Sequence, residues 1–351
     1  MMSTARRAAV ATLVAGGILV LALALWKLRL VLALLFCAFI IAAAMRPTIE
    51  WLALHHVPRG AGLALHYLAL LAVIVAAIAF AVPRARSQVD HALSPSGKAQ
   101  IARATKNSSG VKHQVLVALQ KRLDHLPKRN QLVKPLTQAG VTAFEVMIGI
   151  LFTLAAAAYW IFERDKAIDV VCSLLPRPKR KLVRDTWDLI DAKLGAFVRG
   201  QVLLIGLVGT ALSLLFWAIG EPYWLLVGAF AGLVEVVPVI GPLAAGALAV
   251  AVGFTSSVQV AALAAGCVVL VRICEDYFVM PKVLGDAVGL SPLLVLVSVT
   301  TVGILFSGWA ILFAVPIAAV LVTLFDVVLR NVDPAEEDVP AVLFSARESE
   351  A

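Results

Sequence analysis

The stretch that decides the fold is Glu235–Pro242, EVVPVIGP. It lies inside the apolar run LLVGAFAGLVEVVPVIGPLAAGALAVAVGF, residues 225–254. A run of that length is more than the ~20 residues that one helical crossing of a bilayer needs. Yet it carries a carboxylate and then two prolines around a glycine. Proline removes a backbone donor and clashes with the preceding turn, so Pro238 and Pro242 about Gly241 predict a broken helix. A break at membrane depth frees carbonyls and amides. These are tolerated only where protein or a water-filled cavity surrounds them.

The rest of the chain explains why membrane depth is the right frame. Of 351 residues, 61% are hydrophobic and only 15% charged, against roughly 25% charged in a soluble domain. The mean hydropathy is +0.95. The apolar residues come in long blocks without alternation, which excludes a transmembrane barrel and predicts an all-α polytopic membrane protein. Eight blocks stand out: 8–26, 28–45, 60–82, 139–162, 202–219, 223–252, 257–280 and 291–329. The first two meet at Trp26–Arg29 with almost no loop, as a tight hairpin or a pair of short tilted helices. Arg6 and Arg7 before the first block mimic a signal peptide, but the second block follows at once, so two spans are expected rather than a cleaved leader.

The sixth and eighth blocks are both over-long, and both are broken. In the eighth, Gly303, Ser307, Gly308 and Pro316 interrupt GILFSGWAILFAVPIAAVLVTLFD. Paired interruptions of this kind point to an ion or substrate site formed by half-helix ends. The expected organisation is therefore residues 1–82 as the first three spans, 83–138 as a polar, partly helical extramembrane domain and 139–162 as a fourth span. A basic amphipathic cytoplasmic segment occupies 163–201, the transport core 202–330 and a polar tail 331–351. Within 83–138, Val111, Val115, Leu119, Leu123 and Leu126 recur at helical spacing. Within 163–201, so do Val183, Trp187, Ile190, Leu194 and Phe197. Their basic neighbours suit either a membrane surface or a helix docked on the protein.

The net charge of +8 lies mostly in the polar segments and at span ends. No nucleic-acid-binding motif accompanies it, so nucleic acid is not an expected partner. Arg6 and Arg7 place the N-terminus in the cytoplasm, and eight crossings return the C-terminus there. The basic 83–138 segment then falls outside, in tension with the charge rule, although its length weakens that rule. Cys37, Cys172, Cys267 and Cys274 are scattered, with no CxxC, and read as apolar packing residues. HExxH, Walker A and GxSxG motifs are absent, and all six histidines lie at or before residue 125. No enzyme, cofactor or metal site is expected. A channel shares the broken helices and is harder to separate.

Charge inside a bilayer costs roughly 2.5–3.5 kcal/mol per group on insertion scales. Arg29, Glu145, Glu235, Arg272, Glu275, Asp276 and Asp326 lie within or at the edges of blocks. Arg29 can snorkel from a span end. Glu235 is the candidate ion-binding carboxylate. Arg272, Glu275 and Asp276 share a helix face at i, i+3 and i+4, so Arg272 can pair with either acid as a gate or relay. Pro281 then ends or kinks that helix, and Lys282 follows. The bland alternative is a helix end with a surface ion pair. Gly228 and Gly232 form a GxxxG, a helix-packing signal.

Four motifs in this order carry a resemblance: FVRGQ at 197–201, EVVPVIGP at 235–242, the pattern from Glu275 and Asp276 through Pro281 and Lys282 to Leu290, Ser291 and Pro292, and GWAILFAVP at 308–316. With three spans, a polar domain and then five spans, the chain resembles the AI-2E family of transporters. The resemblance implies an inner-membrane protein that exports the signal autoinducer-2, or a sodium(lithium)/proton antiporter. It also implies a homo-oligomer such as a pentamer, and motif positions at Arg199, Gly200, Gln201, Pro281, Ser291 and Pro292. Many relatives have a histidine where Ser291 stands, so no proton role of that histidine carries over. The expected partners are the lipid bilayer, a small polar solute, and a proton or sodium. The expected site combines Glu235, Pro238, Gly241 and Pro242 with Ser307, Gly308 and Pro316.

Overall fold

The computed structural model describes residues 4–94, 102–103, 105–106, 108–124, 133–238, 240–280, 290–306, 308–337 and 339. Among these the chain is helical, with no strand. The helices are α1 (Thr4–Lys27), α2 (Arg29–Leu54), α3 (Arg59–Leu93), α4 (Gly110–Asp124), α5 (Val133–Ser173), α6 (Arg177–Ala218), α7 (Trp224–Val234), α8 (Ile240–Gly253), α9 (Val258–Cys274), α10 (Pro292–Leu305) and α11 (Ala314–Leu329). A π-turn, Glu275–Val279, prolongs α9, and a 3₁₀ turn, Gly308–Phe313, leads into α11.

Seven segments are long and apolar enough to cross a membrane, in α1, α2, α3, α5, α6, α9 with its π-turn, and the 3₁₀ turn with α11. Their outward faces are apolar; Leu13, Leu68, Val73, Leu151 and Leu214 are all exposed. Large apolar side chains in such numbers can face only lipid. The chain is an all-α polytopic membrane protein.

The sixth block is split as its prolines require. α7 has 11 residues and α8 has 14. At 1.5 Å per residue they span ~17 and ~21 Å, against ~30 Å of hydrocarbon, so neither crosses alone. The turn between them is tight. Val237 N donates to the Val234 carbonyl at 3.0 Å and Gly241 N to that of Val237 at 2.8 Å. A Cβ on Gly241 would stand 2.1 Å from the Val234 oxygen, so the chain folds back as only glycine allows. Pro242 falls in the first turn of α8, where its missing N–H costs nothing. The eighth block is split likewise, into α10 and α11 around residues 306–313.

Two junctions depart from expectation. Leu28 N still donates to Ala24 O at 2.9 Å, and Leu32 N to Leu28 O at 3.0 Å. Helical bonding thus runs through the α1–α2 junction, which is a kink at Leu28 rather than a tight hairpin. Arg29 lies over the Trp26 ring at 4.6 Å, a cation–π contact at the span end. α6 is one 42-residue helix that begins after Pro176 and runs unbroken from the basic segment into the fifth apolar block. Its tryptophan face turns toward protein. Trp187 stacks on Trp160 of α5 and meets Phe39 of α2 edge-on. Ile190 and Leu194 pack with Ile40 and Ala43 of α2 and Ala319 of α11. Of the two readings of that helix, docking on the protein is the one seen.

In the polar segment, α4 is present; among its described side chains Leu116 is buried and Val115 half-buried, while the side chains of Val111, Leu119 and Leu123 lie outside the described residues. Leu126 lies outside the described residues. The core that positions the site is built by α6, α7, α8 and α9 around Phe216, Val227, Ala231, Ala249 and Ala264. Gly228 and Gly232 bring α7 onto α6. A Cβ on Gly228 would be 2.2 Å from Ser213 Oγ, and one on Gly232 would be 2.7 Å from Gly209 Cα. The GxxxG is packing, as its spacing predicts.

Candidate functional site

Glu235 is the first residue past α7, and its side chain is only 6% exposed. Its position follows from the break: α7 ends there, and the turn to α8 directs the carboxylate toward α9. Three acids meet one arginine. Arg272 Nη1 lies 3.3 Å from Glu235 Oε1 and 3.2 Å from Glu275 Oε2. Its Nη2 lies 2.9 Å from Asp276 Oδ1, and its Nε donates to Asp276 Oδ2 at 3.2 Å. The i, i+3 and i+4 spacing thus allows Arg272 to hold both neighbours and to cross to Glu235 as well.

Burial is uneven. The Glu275 side chain is 2% exposed, Asp276 45% and Arg272 35%. Glu275 Oε1 is buried with no hydrogen-bond partner. With every group ionised, the cluster carries three negative charges and one positive. The surplus rests on the two buried carboxylates, where charge is most costly. The π-turn begins at Glu275, and such turns recur at functional sites because they widen the helix and re-aim its side chains.

The FVRGQ motif ties this cluster to the scaffold. Gln201 Nε2 donates to the backbone carbonyl of Glu235 at 3.1 Å, satisfying an oxygen that the break releases. Arg199 Nη1 donates to the Ala44 carbonyl of α2 at 3.1 Å. Gly200 is buried between them. Nearby, a Cβ on Gly195 would stand 2.5 Å from Ala43 O, so α2 and α6 touch backbone to backbone.

The second break lies elsewhere in the packing. Phe313 meets Phe36 of α2, and the start of α11 packs on α2 and α6. Pro316 is buried in the first turn of α11, and Gly308 is exposed. Ser291 has a local role as the N-cap of α10. Its Oγ accepts from Leu294 N at 3.3 Å, and Pro292 takes the first helical position. Ser307, Pro281 and Lys282 fall outside the described residues.

A family model described as AI-2E family transporter matches residues 16–330. The chain belongs to the AI-2E transporter family. Two relatives from Bacillus subtilis (strain 168) align over shorter stretches. "Putative transport protein YrrI" is 24% identical over 188 residues, which is 52% of this chain and 53% of that protein. "Putative transport protein YueF" is 32% identical over 143 residues, 41% of this chain and 38% of that one. The alignments thus span about half, or less, of these relatives' lengths. This AI-2E family chain is a multi-pass membrane protein.

Four further charged residues are buried without any sign of it in the sequence: Arg164, Asp191, Lys193 and Glu221. Arg164 and Asp191 form a buried pair between α5 and α6, with Nε to Oδ2 at 2.5 Å. Lys193 of α6 is buried and reaches Thr323 Oγ1 of α11 at 3.3 Å and Glu337 Oε1 of the tail at 2.5 Å. Glu221, between α6 and α7, is 2% exposed. Arg164, Asp191 and Lys193 fall in the 163–201 segment, expected to be basic and amphipathic, and Glu221 falls in the gap between the 202–219 and 223–252 blocks.

Proposed function

We propose that this AI-2E family member is an ion-coupled transporter that exports a small polar solute such as autoinducer-2, and that Glu235 and Glu275 bind the coupling cation. One observation carries the reading: two buried carboxylates share one partly exposed arginine at the end of a broken membrane helix. The surplus negative charge calls for a proton or a sodium ion. Arg272 is then the movable counter-charge, able to stay with exposed Asp276 or to turn inward when the cation leaves. The break at Glu235–Gly241 supplies the half-helix ends around which such sites form. The chain would work in the bacterial cytoplasmic membrane as a homo-oligomer, with both termini in the cytoplasm as Arg6 and Arg7 suggest.

Sodium/proton antiport is the second reading. It is favoured by the composition of the cluster, which offers carboxylates to a cation but no wider set of donors to an organic molecule. Both readings are tested in one preparation: purified protein in liposomes, an imposed pH gradient, and sodium and autoinducer-2 followed together. Autoinducer-2 flux that disappears in Glu235→Gln supports export. Sodium-driven proton movement without autoinducer-2 flux makes the chain an antiporter. Wild-type flux of both kinds in Glu235→Gln overturns the role of this carboxylate. Full cellular function after neutralising Glu235, Glu275 and Asp276 together would leave only a scaffold role.

A further inference from the structure

Glu221 is a buried acid that neither the proposed transport site nor the Arg164–Asp191 pair uses. It lies in the turn Gly220–Tyr223 that joins α6 to α7. Gly220 at φ +72° and Tyr223 at φ +58° fold this turn sharply, and Glu221 N donates to the Phe216 carbonyl at 2.9 Å. The side chain goes inward, and both carboxylate oxygens are buried with no hydrogen-bond partner. Its chain neighbours Phe216, Ile219, Tyr223 and Trp224 belong to the apolar cluster at this end of α6 and α7. The titratable group that interacts with it, among the described residues, is Cys267, from α9. Among the described residues, no basic side chain forms an ion pair with it, and burial alone perturbs it.

An ionised carboxylate without a partner in such a place is too costly to persist, so something must neutralise it. A metal cation would need a shell of several oxygens, and among the described residues no group of three or more His, Cys, Asp or Glu side chains gathers to hold one. A proton needs only the carboxylate. Burial accordingly pushes the Glu221 carboxyl up to about 7.

We propose that Glu221 is a second proton-binding site of this protein, separate from the Glu235 cluster and loaded when the α6–α7 turn is closed. The separation is structural. The 11 residues of α7 put ~17 Å between its two ends. Between those ends Gly209, Ser213, Gly228 and Gly232 press the helices together too closely for a water chain. Glu221 therefore exchanges its proton at its own end of α7. Ionising it requires water to reach the turn, so proton loss and opening of that turn are one event.

The inference goes beyond the transport reading and is tested without transport. Infrared difference spectra of the purified protein, stepped from about pH 5 to about pH 9, report each carboxyl that loses a proton. One protonated-carboxyl band titrating near neutrality should be present in the wild type and in Glu235→Gln, and absent in Glu221→Gln. Thermal melting gives a second readout. The folded-state value of about 7 lies above the ordinary 4.5, so the folded protein holds a proton that the unfolded chain releases between these two values. Stability from this group is full below about 4.5, is lost as pH rises through about 7, and is level above. Glu221→Gln should flatten that slope, and so should Glu221→Met, which keeps the site apolar should the amide fail to fold. A spectrum of Glu221→Gln or Glu221→Met identical to the wild type would overturn the proposal. So would a Glu221 band that appears only when sodium is withheld, which would make the ligand a metal cation.

Discussion

Arg164 and Arg272 each gather carboxylates from more than one helix, yet their situations are opposite. Arg164 is the buried partner, 6% exposed, and Asp191 beside it is equally buried. The acids around its edge, Asp188 and Asp165, are 40% and 66% exposed. Arg46 of α2 adds a second guanidinium, 3.7 Å from Asp191, and also holds Glu50. Every deeply buried charge there has a buried opposite. At Arg272 the arginine is 35% exposed while two of its acids are buried. The first cluster fastens α2, α5 and α6 together. The second lacks a positive charge where the field is strongest, which is how a cation site differs from a clasp.

The largest effect should come from unmaking the clasp. Arg164→Met leaves Asp191 buried beside a thioether, and removing one member of a buried pair costs about 3–5 kcal/mol. Arg272→Met should cost less, because Glu235 and Glu275 can take up protons in place of the lost guanidinium, and it should abolish coupled flux. Thermal melting in detergent, alongside flux in liposomes, separates the two. Equal losses of stability at both arginines would break the comparison.

A second, intermediate effect concerns what holds the site in place. The Glu235 turn is carried by α7, and α7 is seated on α6 through glycine. Gly228→Ala puts a methyl group 2.2 Å from Ser213 Oγ and 2.6 Å from its Cα. Overpacking of this kind costs about 1–3 kcal/mol. Pairing it with Ser213→Gly should recover part of that loss. A Gly228→Ala protein that melts like the wild type would show that α7 can lift from α6 at little cost, and so that the wall of the site is looser than it looks.

The legible part of the molecule was the part written in proline, glycine and block length. EVVPVIGP marked the break because two missing donors and one missing side chain have few other uses inside a membrane. The Arg272–Asp276 spacing marked the ion cluster for the same local reason. What the sequence could not convey was depth and partnership across helices. Trp187 and Ile190 had the pattern of an amphipathic helix that suits a membrane surface or a docked helix equally, and only the packing against α2 and α5 shows them turned toward protein. Lys193 looked like one more basic residue until Thr323 and Glu337 closed over it. Glu221 looked like a loop acid because the apolar blocks stop on either side of it, whereas the sharp turn folds it back into the core. The two breaks were paired by analogy of form; the second packs on α2 and α6, with Ser307 outside the described residues.

The smallest effect should come from a pair that looks strong by distance alone. Arg184 of α6 reaches Asp169 of α5 with a very short contact, and both belong to the same pair of helices as the clasp. Their side chains, however, are 43% and 65% exposed. In water the attraction is screened and both groups are well solvated when apart, so Asp169→Asn should change stability by no more than about 0–1 kcal/mol. The same comparison at high salt should shrink even that. If Asp169→Asn instead cost as much as Arg164→Met, burial would not be what separates a clasp from a surface contact. The reasoning that assigns Glu235 and Glu275 to a cation would then lose its footing, because it rests on the same rule: a charge matters in proportion to how little water can reach it.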